Sequence, residues 1–110
     1  MIAVQGRFWL KKEERNFLGR GRVELLRKID ELGSISQAAR AMKMSYKSAW
    51  DAVDAMNRTA DAPLVEKVLG GKGGGSARLT EEARQLMALF ERMEGEHQAF
   101  LVRMTELARG

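Results

Sequence analysis

The stretch SISQAARAMKMSYKSAWDAVDAMN, residues 34–57, holds two helical patterns joined by almost no linker. Ser34 and Gln37 have the S-x-x-Q spacing of a capping box, and Ser36 is an alternative cap. Ile35, Ala38, Ala39 and Met42 make an inner face whose alanines let a second helix cross closely. After Lys43 and Met44, Ser45 is placed to cap a further helix, with Ala49, Val53 and Met56 recurring at i, i+4 and i+7. Tyr46, Lys47, Ser48, Trp50 and Asp51 fall outside that apolar stripe, at the N-terminal end of the helix.

Spacing alone admits an ordinary helical hairpin or a helix–turn–helix. The outward residues favour the second, because a recognition helix enters the major groove by its N-terminal residues. Tyr46, Ser48 and the Lys47 ammonium carry groups that reach base edges or phosphates. Asp51 has two readings: it accepts from cytosine N4, or it pairs with Lys47 one turn away. Trp50 lies one turn from the core stripe and is either a contact residue or a half-buried ring. Ser36, Gln37 and Ser45 complete the candidate DNA-binding set on these two helices.

Outward from this motif, the chain supplies the rest of a small domain. Upstream, IAVQGRFWL (residues 2–10) alternates loosely and predicts a strand. RVELLRKIDELG (residues 22–33) predicts a helix through Val23, Leu25, Leu26, Ile29 and Leu32, with Gly33 at its C′ position. Downstream, the only proline, Pro63, closes the second helix of the motif. LVEKVL, GGKGGGS and ARLT then read as strand, glycine tip and return strand. The tip does not hold a nucleotide: a phosphate loop needs Lys directly after its last glycine, and Lys72 precedes Gly73. It is either a plain flexible tip or a wing whose bare backbone approaches DNA while Lys72 and Arg78 meet phosphates. Thr80 caps a last helix that begins with Glu81 and Glu82 and runs to about Ala108.

That last helix carries Leu86, Phe90, Met93, His97, Phe100, Met104 and Leu107 at alternating spacings of 4 and 3, a heptad seam. Its expected length exceeds the width of a domain this size, so part of the seam is expected to meet a second chain. The expected fold class is mainly α with a small β component: a winged helix–turn–helix with an N-terminal strand and a long C-terminal dimerisation helix. The expected organisation is a DNA-binding domain over residues 1–80 (helix–turn–helix 34–57, wing 64–80) and a dimerisation helix over residues 81–110.

Charge agrees with this layout. Residues 1–58 carry 12 Lys/Arg against 7 Asp/Glu, whereas residues 81–110 carry 4 against 6, so a polyanion is expected at the first part of the chain. Catalysis has little support. Cysteine is absent, His97 is the only histidine, and no metal-ligand or nucleophile–base spacing is present, so neither an enzyme nor a small-molecule substrate is expected. The cysteine-free composition fits a reducing cytoplasm, and no secretory leader or membrane span is expected.

Residues 33–57, GSISQAARAMKMSYKSAWDAVDAMN, followed by LVEKVLGGKGGGSARLT at 64–80, closely resemble the N-terminal DNA-binding domain of ModE-type molybdate-responsive transcriptional regulators. That domain is a winged helix related to the LysR-type module. The resemblance covers essentially the whole chain and implies that Ser45–Asn57 is the recognition helix, the glycine loop the wing and the final helix a dimerisation element. It further implies a homodimer bound to a palindromic operator in double-stranded DNA, in regulation of molybdate transport or molybdenum use. Members of the family carry C-terminal molybdate-binding domains; none is present in these 110 residues, and no cofactor is expected in them. Lys43 stands in the turn where glycine is common. A second expectation, from another class, is an interaction module that pairs with a full-length regulator through its long helix without strong DNA binding.

Overall fold

The structure, a computed structural model, describes residues 1–68 and 76–110. It begins with a short antiparallel hairpin, β1 (Leu10–Lys12) and β2 (Arg15–Leu18), followed by α1 (Arg20–Leu32), α2 (Ile35–Ala41) and α3 (Tyr46–Thr59). A second antiparallel pair, β3 (Val65–Val68) and β4 (Ser76–Leu79), leads into α4 (Glu81–Arg109). The mainly helical fold with small two-stranded sheets agrees with the sequence expectation. The glycine tip with Lys72 lies outside the described residues.

The expected strand over residues 2–10 is corrected. Residues 1–9 pair with no strand; they run antiparallel along α4, and the hairpin lies further on, at 10–18. Side-chain and backbone contacts along the arm explain why. Arg109 Nε donates to Ile2 O at 2.8 Å, and Val4 N donates to Thr105 Oγ1 at 2.9 Å. Phe8 stacks on Phe90 with ring centroids 4.9 Å apart and meets the edge of His97 at 5.1 Å. Of the apolar residues that suggested a strand, Val4 and Phe8 are partly covered along the helix, while Ile2 and Trp9 stay exposed.

Each helix end has a physical stop. Gly33 adopts φ 71° and its N–H returns to Ile29 O, closing α1 at the left-handed position that glycine tolerates best. Ser34, rather than Ser36, caps α2 by accepting from Gln37 N. Lys43 takes the left-handed conformation, φ 56°, in the turn after α2, and Ser45 then caps α3 by accepting from Ser48 N. Thr80 caps α4 by accepting from Ala83 N while its own hydroxyl donates to Pro63 O at 2.7 Å.

The core sits between these elements. Val23, Leu25, Leu26 and Ile29 of α1 meet Ile35, Ala38 and Ala39 of α2, Ala49, Val53 and Met56 of α3, Leu64, Val65, Ala77 and Leu79 of the second pair, and Ala83 and Phe90 of α4. Ala38 and Ala49 are fully buried where α2 and α3 cross; a larger side chain at either would push the helices apart. Three ion pairs run along one side between α1 and α4: Arg20–Glu94, Arg27–Glu91 and the bidentate Arg84–Asp30. The hydrogen bond to Glu91, helped by Glu24, raises the Arg27 pKa above its ordinary value.

Candidate nucleic-acid interface

The candidate interface is built on α3. Its buried strip is Ala49, Val53 and Met56, so the first two turns leave Tyr46, Lys47, Ser48, Trp50 and Asp51 exposed. Tyr46 is 52% exposed and Trp50 39%, so Trp50 keeps part of its ring in solvent while the rest is covered, which leaves both readings of it standing. The Ser45 hydroxyl donates to Ser48 Oγ at 2.9 Å and accepts from Ser48 N at 3.0 Å. Ser45 therefore holds the helix start, and Ser48 is held ready beside it. Lys47 and Asp51 form an i, i+4 pair at 2.9 Å, one of the two readings of Asp51.

The other candidates lie on neighbouring elements. Ser36 and Gln37 are exposed in the first turn of α2, and Arg78 is exposed on β4, where it pairs with Glu66 opposite it on β3 at 3.5 Å. Among the described residues, no hydrogen bond or ion pair joins Ser36, Gln37 or Arg78 to the α3 group.

Asn57 is the link that spacing did not reveal. Its Oδ1 accepts from Leu64 N at 2.8 Å and Val65 N at 3.2 Å, and its Nδ2 donates to Val65 O at 3.1 Å. One side chain thereby clips α3 to β3. Ala77 N also donates to Gly33 O and Thr80 N to Leu64 O, fixing the return strand to the helix–turn–helix and to β3. The signal missed further along α3 is Asp54 and Arg58, which form a 3.0 Å pair and continue the Lys47–Asp51 row with spacings of 4, 3 and 4. That periodicity was present in the sequence.

The seam on α4 is also corrected. Phe90 is buried in the chain's own core, Leu86 packs against it, and His97 is partly covered by Phe8. An a/d row looks alike whether a second chain or the chain's own arm covers it. Met104 is half-buried, while Met93, Phe100 and Leu107 remain exposed, joined by Leu89, which the row omitted. Leu89, Met93, Phe100 and Leu107 follow one another along a single strip of the helix.

Comparison with known proteins agrees with this geometry. Residues 21–84 match the family described as bacterial regulatory helix-turn-helix proteins of the lysR family. The chain is 45% identical over 85 residues to the molybdenum transport protein ModE of Azotobacter vinelandii, covering 77% of this chain and 32% of that protein. It is 45% identical over 82 residues to the DNA-binding transcriptional dual regulator ModE of Escherichia coli K12, covering 74% of this chain and 31% of that protein. The chain thus spans about a third of the length of these relatives. Among solved structures, a LysR family transcriptional regulator shares its fold over 76% of this chain and 27% of its own, with a TM-score of 0.57 and 19% identity. With α3 capped by Ser45, a left-handed turn before it and a strand pair clipped behind it, the chain belongs to the lysR family of bacterial regulatory helix-turn-helix proteins.

Proposed function

We propose that this chain is a sequence-specific, double-stranded-DNA-binding transcription regulator that acts as a homodimer on a palindromic operator. The observation that carries this reading is the outward face of α3, where exposed Tyr46, Lys47, Ser48, Trp50 and Asp51 stand on a helix fixed by Ser45 and Asn57. These groups match what reads base edges and phosphates in a major groove. The exposed strip Leu89, Met93, Phe100 and Leu107 supplies the dimer contact: an apolar row on a 29-residue helix is stabilised when a second copy covers it. The ModE relatives support regulation of molybdate transport or molybdenum use. No helix among the described residues is long and apolar enough to cross a membrane, which fits action at DNA in the cytoplasm.

Selection from a randomised duplex library tests this. The expected outcome is an enriched palindrome with half-sites about 10 base pairs apart, the repeat that places two recognition helices in successive major grooves. Absence of any enriched sequence, with a dimer that binds a ModE-type regulator, would favour the interaction module instead. Steep loss of duplex affinity with rising salt is expected only of the DNA-binding reading.

A further inference from the structure

Lys47, Asp51, Asp54 and Arg58 form the row of α3 directly opposite its buried strip. The row reads plus, minus, minus, plus, and both cations are already engaged: Lys47 with Asp51 at 2.9 Å and Arg58 with Asp54 at 3.0 Å. On the wing, Arg78 is likewise engaged by Glu66 at 3.5 Å. The Lys47, Arg58 and Arg78 side chains are 85%, 73% and 70% exposed and their partners Asp51, Asp54 and Glu66 53%, 32% and 49%, so each pair is open to solvent on its cation side and contributes little to the fold. For a helix that faces a polyanion, a net charge of zero on its most outward row is unexpected. Non-specific DNA affinity comes from cations that neutralise phosphate, and each of these three cations comes with a carboxylate.

We infer that Asp51 and Asp54 are specificity-determining residues: they hold Lys47 and Arg58 back from phosphates and admit DNA only where exocyclic amino groups of cytosine or adenine meet the carboxylates. This rests on the DNA-binding reading above. A carboxylate in the major groove accepts from cytosine N4 or adenine N6, and it repels a phosphate or a guanine O6 in the same place. On a random duplex the carboxylates stay with their cations and repel the backbone. On the matching duplex the amino groups satisfy the carboxylates, and Lys47 and Arg58 turn to the guanine edge or phosphates beside them. The row thus suppresses wrong sites as well as favouring the right one. Glu66 differs: it sits on the wing, so its effect is on backbone contact and carries no base preference.

The test is duplex binding by wild type, Asp51→Asn, Asp54→Asn and Glu66→Gln, against the library-selected duplex and a random one, over a salt series. Releasing one cation for one phosphate tightens random binding roughly fivefold at physiological salt and steepens its salt slope by about one unit. For the two α3 variants the ratio of selected to random affinity should fall by roughly tenfold or more, and a repeated library selection should lose cytosine or adenine at one position per half-site. Glu66→Gln should tighten both duplexes alike and keep the ratio. Circular dichroism identical to wild type shows that each substitution, including that of half-buried Asp54, leaves the fold in place. An unchanged ratio and an unchanged selected sequence in both α3 variants would overturn the inference while leaving DNA binding intact. A wild-type protein that retains no duplex would overturn the DNA-binding reading itself, and this inference with it.

Discussion

At the scale of single residues, Asn57 and Lys43 set the recognition helix from its two ends. Asn57 satisfies two backbone N–H groups and one carbonyl at Leu64 and Val65, all partly buried. Asn57→Ala leaves those groups without partners and should cost about 1–3 kcal/mol, read as a lower denaturant midpoint. Asn57→Asp should fall between, since a carboxylate accepts from both N–H groups but donates nothing to Val65 O. Wild-type stability in the alanine variant would show that the clip is not needed. Lys43 holds φ 56° in the turn after α2. Lys43→Gly should raise stability by about 1 kcal/mol, because a Cβ in the left-handed region is crowded by its own backbone. A destabilised glycine variant would show that Lys43 contributes a contact that outweighs this strain. The sequence exposed one of these two residues. Lys43 is legible because turns have positional preferences. Asn57 is not, because its partners lie seven and eight residues on, beyond Pro63, in a segment whose path no local period describes.

At the scale of elements, the helices were legible and the first hairpin was not. The apolar spacing and serine caps of residues 34–57 state α2 and α3 locally, and the structure follows them to within a residue or two. The hairpin of β1 and β2 turns through Glu13 and Glu14, both at positive φ, 51° and 68°. A two-residue turn of that kind is built from Asn-Gly or Asp-Gly, and a Glu-Glu pair gives no sign of it. The hairpin forms because Phe17 and Leu18 are buried against the helices, with Lys12 tied to Asp61 beyond the end of α3. Tertiary packing overrides the turn preference there. Replacing Glu13 and Glu14 by Asn and Gly should therefore stabilise the fold by about 1–2 kcal/mol, through relief of two left-handed glutamates. A thermal midpoint at or below wild type would show that the turn is held by contacts of the glutamates themselves.

For the whole molecule, α4 divides into a side that the chain itself covers and a side where the proposed second copy packs. The helix measures about 43 Å from 29 residues, and the molecule extends 60 Å in its longest direction against 28 and 21 Å in the others. Residues 2–8 cover one side of this helix and bury Phe90, so Phe90 belongs to the fold. Phe100 lies on the adjoining strip and is 45% exposed. Heptad spacing merged the two because both strips are apolar and separated by a fraction of a turn. The two phenylalanines should therefore respond differently. Phe90→Ala empties a filled core site and should cost about 3–5 kcal/mol of stability. Phe100→Glu places a charge where the proposed partner packs; it should halve the sedimenting mass and weaken operator binding while circular dichroism stays unchanged. If Phe100→Glu sediments like the wild type as a dimer, the contact lies elsewhere on the molecule. If the wild type is itself a monomer at tens of micromolar, the exposed strip joins no second copy, and a palindromic operator loses its structural basis, because two half-sites require two recognition helices held at a fixed spacing.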